Sequence, residues 1–136
     1  MKIQKINGHP VSYSVNEEKR IVGAVIRDCR HDVIDRIYDE YGIYPTCNKK
    51  SYTRWTMPDM LKSVATCHPD DVFDVEEGKR IASKRLRKKY WLKYSMRMAF
   101  FAAWLIDVRK RIVDDADSAF YKAKSIDPLA NIAKEG

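Results

Sequence analysis

The chain has 136 residues, 45% of them hydrophobic and 33% charged, with 26 Lys and Arg against 19 Asp and Glu and a formal charge of +7. That composition fits one small folded domain, or a head with a helical extension, and excludes a chain disordered throughout. Three cysteines without tight spacing argue against a disulfide framework, and no apolar run approaches the ~20 residues needed to span a bilayer. A cytoplasmic location, in a bacterial cell or otherwise, is the expectation.

Residues 2–6 alternate in polarity, and Asn7-Gly8-His9-Pro10 carries turn chemistry. Val11, Tyr13 and Val15 then alternate with polar residues, and residues 21–26 are β-branched and apolar. A three-stranded antiparallel meander is expected over residues 1–27. Val33, Ile37 and Tyr41 are spaced by four and predict a helix, with Asp28 as N-cap and Gly42 as a left-handed stop. Residues 49–55 interleave basic and aromatic side chains and read as a possible strand; residues 62–67 read as another.

A long helix is expected from Asp74, which with Glu77 fits a capping box. Gly78 in its first turn is a weak point, costing about 1 kcal/mol against alanine. An apolar stripe then runs from Leu86 through Tyr90, Tyr94, Met98, Phe101, Leu105, Val108 and Ile112 to Ala116, Ala119 and Ala123. Its mean step of about 3.7 residues exceeds the coiled-coil period. Asp114, Asp115 and Asp117 mark a possible break, with Ser118 as a new cap. The fold class is therefore α+β: a small antiparallel sheet with one packed helix in a head over residues 1–73, a long helix or helical hairpin over 74–125, and a loosely ordered tail over 126–136.

Charge concentrates in one place. Residues 79–97 hold nine of the 26 basic residues and no acidic one; without them 17 basic residues face 19 acidic ones, a net of −2. Such a segment attracts phosphates and releases their counterions, while Tyr90, Trp91 and Tyr94 offer stacking surfaces for unpaired bases. The expected contacts with nucleic acid or a nucleoprotein are Lys84, Arg85, Arg87, Lys88, Lys89, Trp91 and Lys93, with Lys49, Lys50, Arg54 and Trp55 as a second patch. Because the cations point nearly all round the helix, the segment is expected to stand out as an exposed arm. The alternative is an assembly factor whose cationic helix docks on an acidic protein surface.

Residues 98–106 are apolar round the whole helix and need a second cover, which predicts a homodimer through Phe100, Phe101, Ala103, Trp104 and Leu105. Cys29, His31, Cys47, Cys67 and His68 lack the paired spacing of a zinc site, so no metal or other cofactor is expected. No glycine loop or nucleophile elbow appears, and no catalytic residue is assigned. Asp70, Asp71 and Asp74 leave a Mg²⁺-dependent nuclease as a minor alternative.

Residues 65–74, Ala-Thr-Cys-His-Pro-Asp-Asp-Val-Phe-Asp, continue through Gly78, Lys79, Arg80, Ile81 and Ala82 to Arg85. This run resembles a segment of small uncharacterised proteins of bacteriophages and prophages. The resemblance implies a phage accessory protein that binds host machinery, including defence nucleases such as CRISPR effectors. No residue role comes with it.

Overall fold

A computed structural model describes residues 3–43, 54–126 and 129 of the chain. Packing divides it into two units, Met1–Phe100 and Phe101–Gly136. The expected α+β class holds, with a different assignment of strands. Strands β1 (Lys5–Ile6) and β2 (His9–Pro10) form a short hairpin of their own. Asn7 and Gly8 make its turn at φ 47° and 82°, the left-handed pair that a two-residue hairpin loop demands.

The main sheet has the order β3-β4-β5, from Ser12–Asn16, Ile21–Arg27 and Met60–Thr66, all antiparallel. Its third strand thus comes from beyond the first helix, and residues 1–27 supply only two of its strands. Cross-strand partners share a face, so Tyr13, Ala24 and Ser63 lie together, as do Val15, Val22 and Ala65. This face carries the buried Val22, Ala24, Ile26, Leu61 and Ala65, whereas the opposite face exposes Ser12, Ser14, Lys62 and Thr66. The sheet is therefore covered on one side only.

Helix α1 (Asp32–Tyr41) buries Val33, Ile34 and Ile37. Gly42 ends it at φ 65°, its N–H bonded to the Tyr38 carbonyl at 2.9 Å. The expected N-cap does not form: His31 holds that position without a side-chain bond, while Asp28 takes a left-handed φ of 64° in the link from β4. Trp55 and Met57 fill the core from the segment before β5. That segment is tied down by the Met57 N–H on the Arg30 carbonyl at 2.9 Å and the Cys29 thiol on the Pro58 carbonyl at 3.0 Å. Of the strand expected over residues 49–55 only Arg54 and Trp55 are described, and neither is in a strand.

Helix α2 runs unbroken from Val75 to Ser125, so the acidic run at residues 114–117 does not interrupt it. Asp74 caps its start by accepting the Glu77 N–H at 3.2 Å; Glu77 turns forward to Arg80 and does not close the box. Gly78 is explained by packing. A Cβ there would stand 2.6 Å from Cγ2 of Val22, so the helix lies closer to β4 than any larger residue permits. Ala82, Ser83, Leu86 and Tyr90 follow on the buried side, and the Tyr13 hydroxyl bonds Ser83 Oγ at 2.5 Å. The first unit takes in the start of α2 and ends at Phe100.

Candidate nucleic-acid interface

Residues 79–97 do not form a free arm. They lie on the sheet, and the packing sorts their nine cations into those held by the fold and those left over. Arg85 Nη1 and Lys89 Nζ donate to the carbonyls of Val64 and Lys62 on edge strand β5, each at 2.9 Å. Four residues of helix rise about 6 Å and two residues of strand about 6.7 Å, so the two donors match the two acceptors in step. An edge strand that would otherwise present bare carbonyls is capped by long cationic side chains. Arg97 Nε donates to the Thr56 carbonyl at 2.8 Å, and Arg80 pairs with Glu77 at 2.6 Å. Lys79 lies over the Tyr13 ring at 5.4 Å, and Lys93 is half-buried.

Lys84, Arg87 and Lys88 remain. They are exposed and make no hydrogen bond or ion pair among the described residues. With Trp91 they occupy i, i+3, i+4 and i+7, one line on the side of α2 turned from the sheet. Trp91 is 44% exposed and stands edge-on against Tyr90 and Tyr94 at ring separations of 5.0 and 5.2 Å, which hold its ring in place. The all-round charge of the sequence narrows to a ridge of three exposed cations, because the others, the half-buried Lys93 aside, make contacts within the fold.

Several expected contacts take other roles. Arg85 and Lys89 each give one N–H to β5 and stay exposed, so their charge still contributes to the field. Trp55 is fully buried and cannot stack on a base; it is a core residue. Arg54 is exposed, whereas Lys49 and Lys50 lie outside the described residues. Among the proposed oligomer contacts Phe101 is 4% exposed, already buried within the chain, while Phe100 and Ala103 are exposed and Trp104 and Leu105 half-exposed.

Trp91 also borders a groove of about 550 Å³ that Tyr41, Tyr94, Asn7, Asp32 and Asp35 help to line. Beneath it sits a polar cluster that the linear sequence does not reveal. Asn7 Nδ2 donates to the Tyr90 hydroxyl at 2.7 Å, the Tyr90 hydroxyl donates to Asp32 Oδ2, and His9 Nε2 meets the same oxygen at 2.7 Å. Burial raises the Tyr90 phenol well above the ordinary tyrosine range; the Asn7 bond opposes the rise and Asp32 adds to it. Tyr90 therefore stays a neutral donor and joins the hairpin, α1 and α2 at one point. The signal was split between a turn asparagine, a cap-region aspartate and a stripe tyrosine far apart in sequence, and only the turn and the stripe were readable.

No group of three or more His, Cys, Asp or Glu among the described residues is placed to hold a metal ion. His68 Nδ1 accepts the Asp70 N–H at 3.2 Å, and the Cys67 thiol is directed to carbonyls at residues 68–72, so the adjacent pair does not converge. No helix of the described residues is long and apolar enough to cross a membrane. No protein-family model matches the chain, and neither a curated protein nor a solved structure shows significant similarity to it.

Proposed function

We propose that the chain is a non-enzymatic binding protein that engages nucleic acid, free or within a host nucleoprotein complex, through the ridge on α2. Lys84, Arg87 and Lys88 contact phosphates, and Trp91, at the mouth of the aromatic groove, stacks on an unpaired base. The observation that carries the reading is the line of three unpartnered cations and one braced indole on a single helix face, with no acid between them. The groove beside Trp91 carries Arg36 as well as Asp32 and Asp35, so its charge is mixed, and the exposed indole is the feature that favours an unpaired base. Single strands are thus preferred to duplex.

The resemblance of residues 65–85 to phage proteins supports a nuclease or transcription complex of the host as the setting, with the chain acting as an inhibitor or modulator. Self-association through the second half of α2 would present two ridges to one target. Fluorescence anisotropy with random single-stranded DNA, single-stranded RNA and duplex DNA tests the reading. Binding at low salt that Lys84→Glu with Lys88→Glu abolishes is expected. Absence of binding to all three at low salt overturns it and leaves an acidic protein surface as the partner.

A further inference from the structure

From Arg109 to Ser125 every residue of α2 is exposed, including Ile112 at 61%, Phe120 at 60% and Tyr121 at 68%. An apolar line nevertheless continues along it through Leu105, Val108, Ile112, Ala116, Ala119 and Ala123. The line is bulky in its first half and small in its second. The charge beside it changes sign at the same place, Arg109, Lys110 and Arg111 preceding Asp114, Asp115 and Asp117. Arg111 makes a loose, exposed pair with Asp107 at 3.8 Å, while the other five form no ion pair among the described residues.

A helix with this order complements itself when turned end for end. We propose that residues 105–123 pair with the same stretch of a second copy, antiparallel, about a twofold axis near Val113. The proposal rests on the self-association put forward above and gives it an orientation and a register. Residues on the flanks of the line pair with those equally far on the other side of Val113: Arg111 meets the partner's Asp115, and Ile106 the partner's Phe120. The twofold axis makes each contact twice. In the apolar line Leu105 and Val108 lie against the small alanines of the other copy, which lets the helices approach closely. A parallel pair would set cations on cations, acids on acids and bulk on bulk, at a cost in each contact. The mean step of about 3.7 residues keeps the helices nearly straight, so contact persists along the whole stretch.

Light scattering over a concentration series, on the full chain, tests this. The wild type is expected to be a dimer. Arg111→Glu and Asp115→Lys each place like charges in both symmetric contacts and are expected to weaken the dimer by roughly tenfold. Mixing the two singly substituted chains is expected to recover wild-type strength, because the introduced glutamate of one chain then meets the introduced lysine of the other, and the native acid the native cation. Pairing of residues 111 and 115 within one helix cannot produce that recovery. With Cys47→Ser and Cys67→Ser in place, Ile112→Cys near the axis is expected to cross-link, and Ala123→Cys, at opposite ends of the pair, to stay free. A wild-type monomer at every concentration overturns self-association itself. A dimer that the mixture does not restore, or that cross-links through Ala123→Cys, overturns the antiparallel register alone. Both outcomes are independent of the ridge, which Lys84 and Lys88 probe separately.

Discussion

At the residue scale, neighbouring cations on one helix serve different ends. Arg85→Ala removes a donor to β5 and is expected to lower unfolding free energy by about 1 kcal/mol in urea titrations. Lys88→Ala removes an unpartnered head group and is expected to leave stability within ~0.5 kcal/mol while weakening nucleic-acid binding. Gly78 reverses the usual expectation for a helix glycine. Gly78→Ala gains about 1 kcal/mol of propensity but drives a methyl into Val22, and the overpacking cost of about 1–3 kcal/mol prevails. Val22→Ala, destabilising alone, is expected to cost less in the Gly78→Ala background, a coupling that a double-mutant cycle reads directly. Cys29 illustrates a proton held by the fold. Burial, helped by nearby Asp32, raises its thiol from 9.0 to about 11. Below pH 9 the thiol is neutral in both states. Above it only the unfolded thiol ionises, so stability is expected to fall as pH climbs from 9 towards 11. Urea midpoints at about pH 8 and about pH 10.5 check the sign, and Cys29→Ala should flatten part of the slope.

At the scale of elements, strands and helices were legible wherever local chemistry settled them. The Asn7-Gly8 turn, the Gly42 stop and the Asp74 cap each depend on a few adjacent residues, and each forms as those residues dictate. Pairing is a long-range property, and there the sequence misled: alternation in residues 2–6 marks a strand without saying which strand it joins. The third strand of the main sheet was visible as residues 62–67, but its place beside β4 follows from burial of Leu61 and Ala65 with Val22 and Ile26. The candidate site divides similarly. The cationic run was plain, whereas the use of Arg85, Lys89 and Arg97 on carbonyls depends on where β5 and residue 56 come to lie. Trp55 shows the limit of composition, since an aromatic among lysines and arginines fits a binding patch and a core equally well.

For the whole molecule, net charge sets how binding responds to salt. Three free cations imply release of about three counterions, and on single strands the slope of log K against log salt is expected near about −2. A slope near zero would remove the phosphate contacts from the account. The unbroken course of α2 has a kinetic consequence as well. Starting a helix is the costly step and lengthening one is cheap, so the turns from Ala82 to Tyr90, fixed against the sheet, serve as the nucleus for the turns beyond Arg109. Amide hydrogens should then exchange progressively faster towards Ser125, as a helix held at one end unwinds from the other. Raising the protein concentration should slow exchange around Ile112 and Ala116 and leave Leu86 unchanged. The peptide 101–126 alone, lacking that nucleus, should be largely unwound in dilute solution.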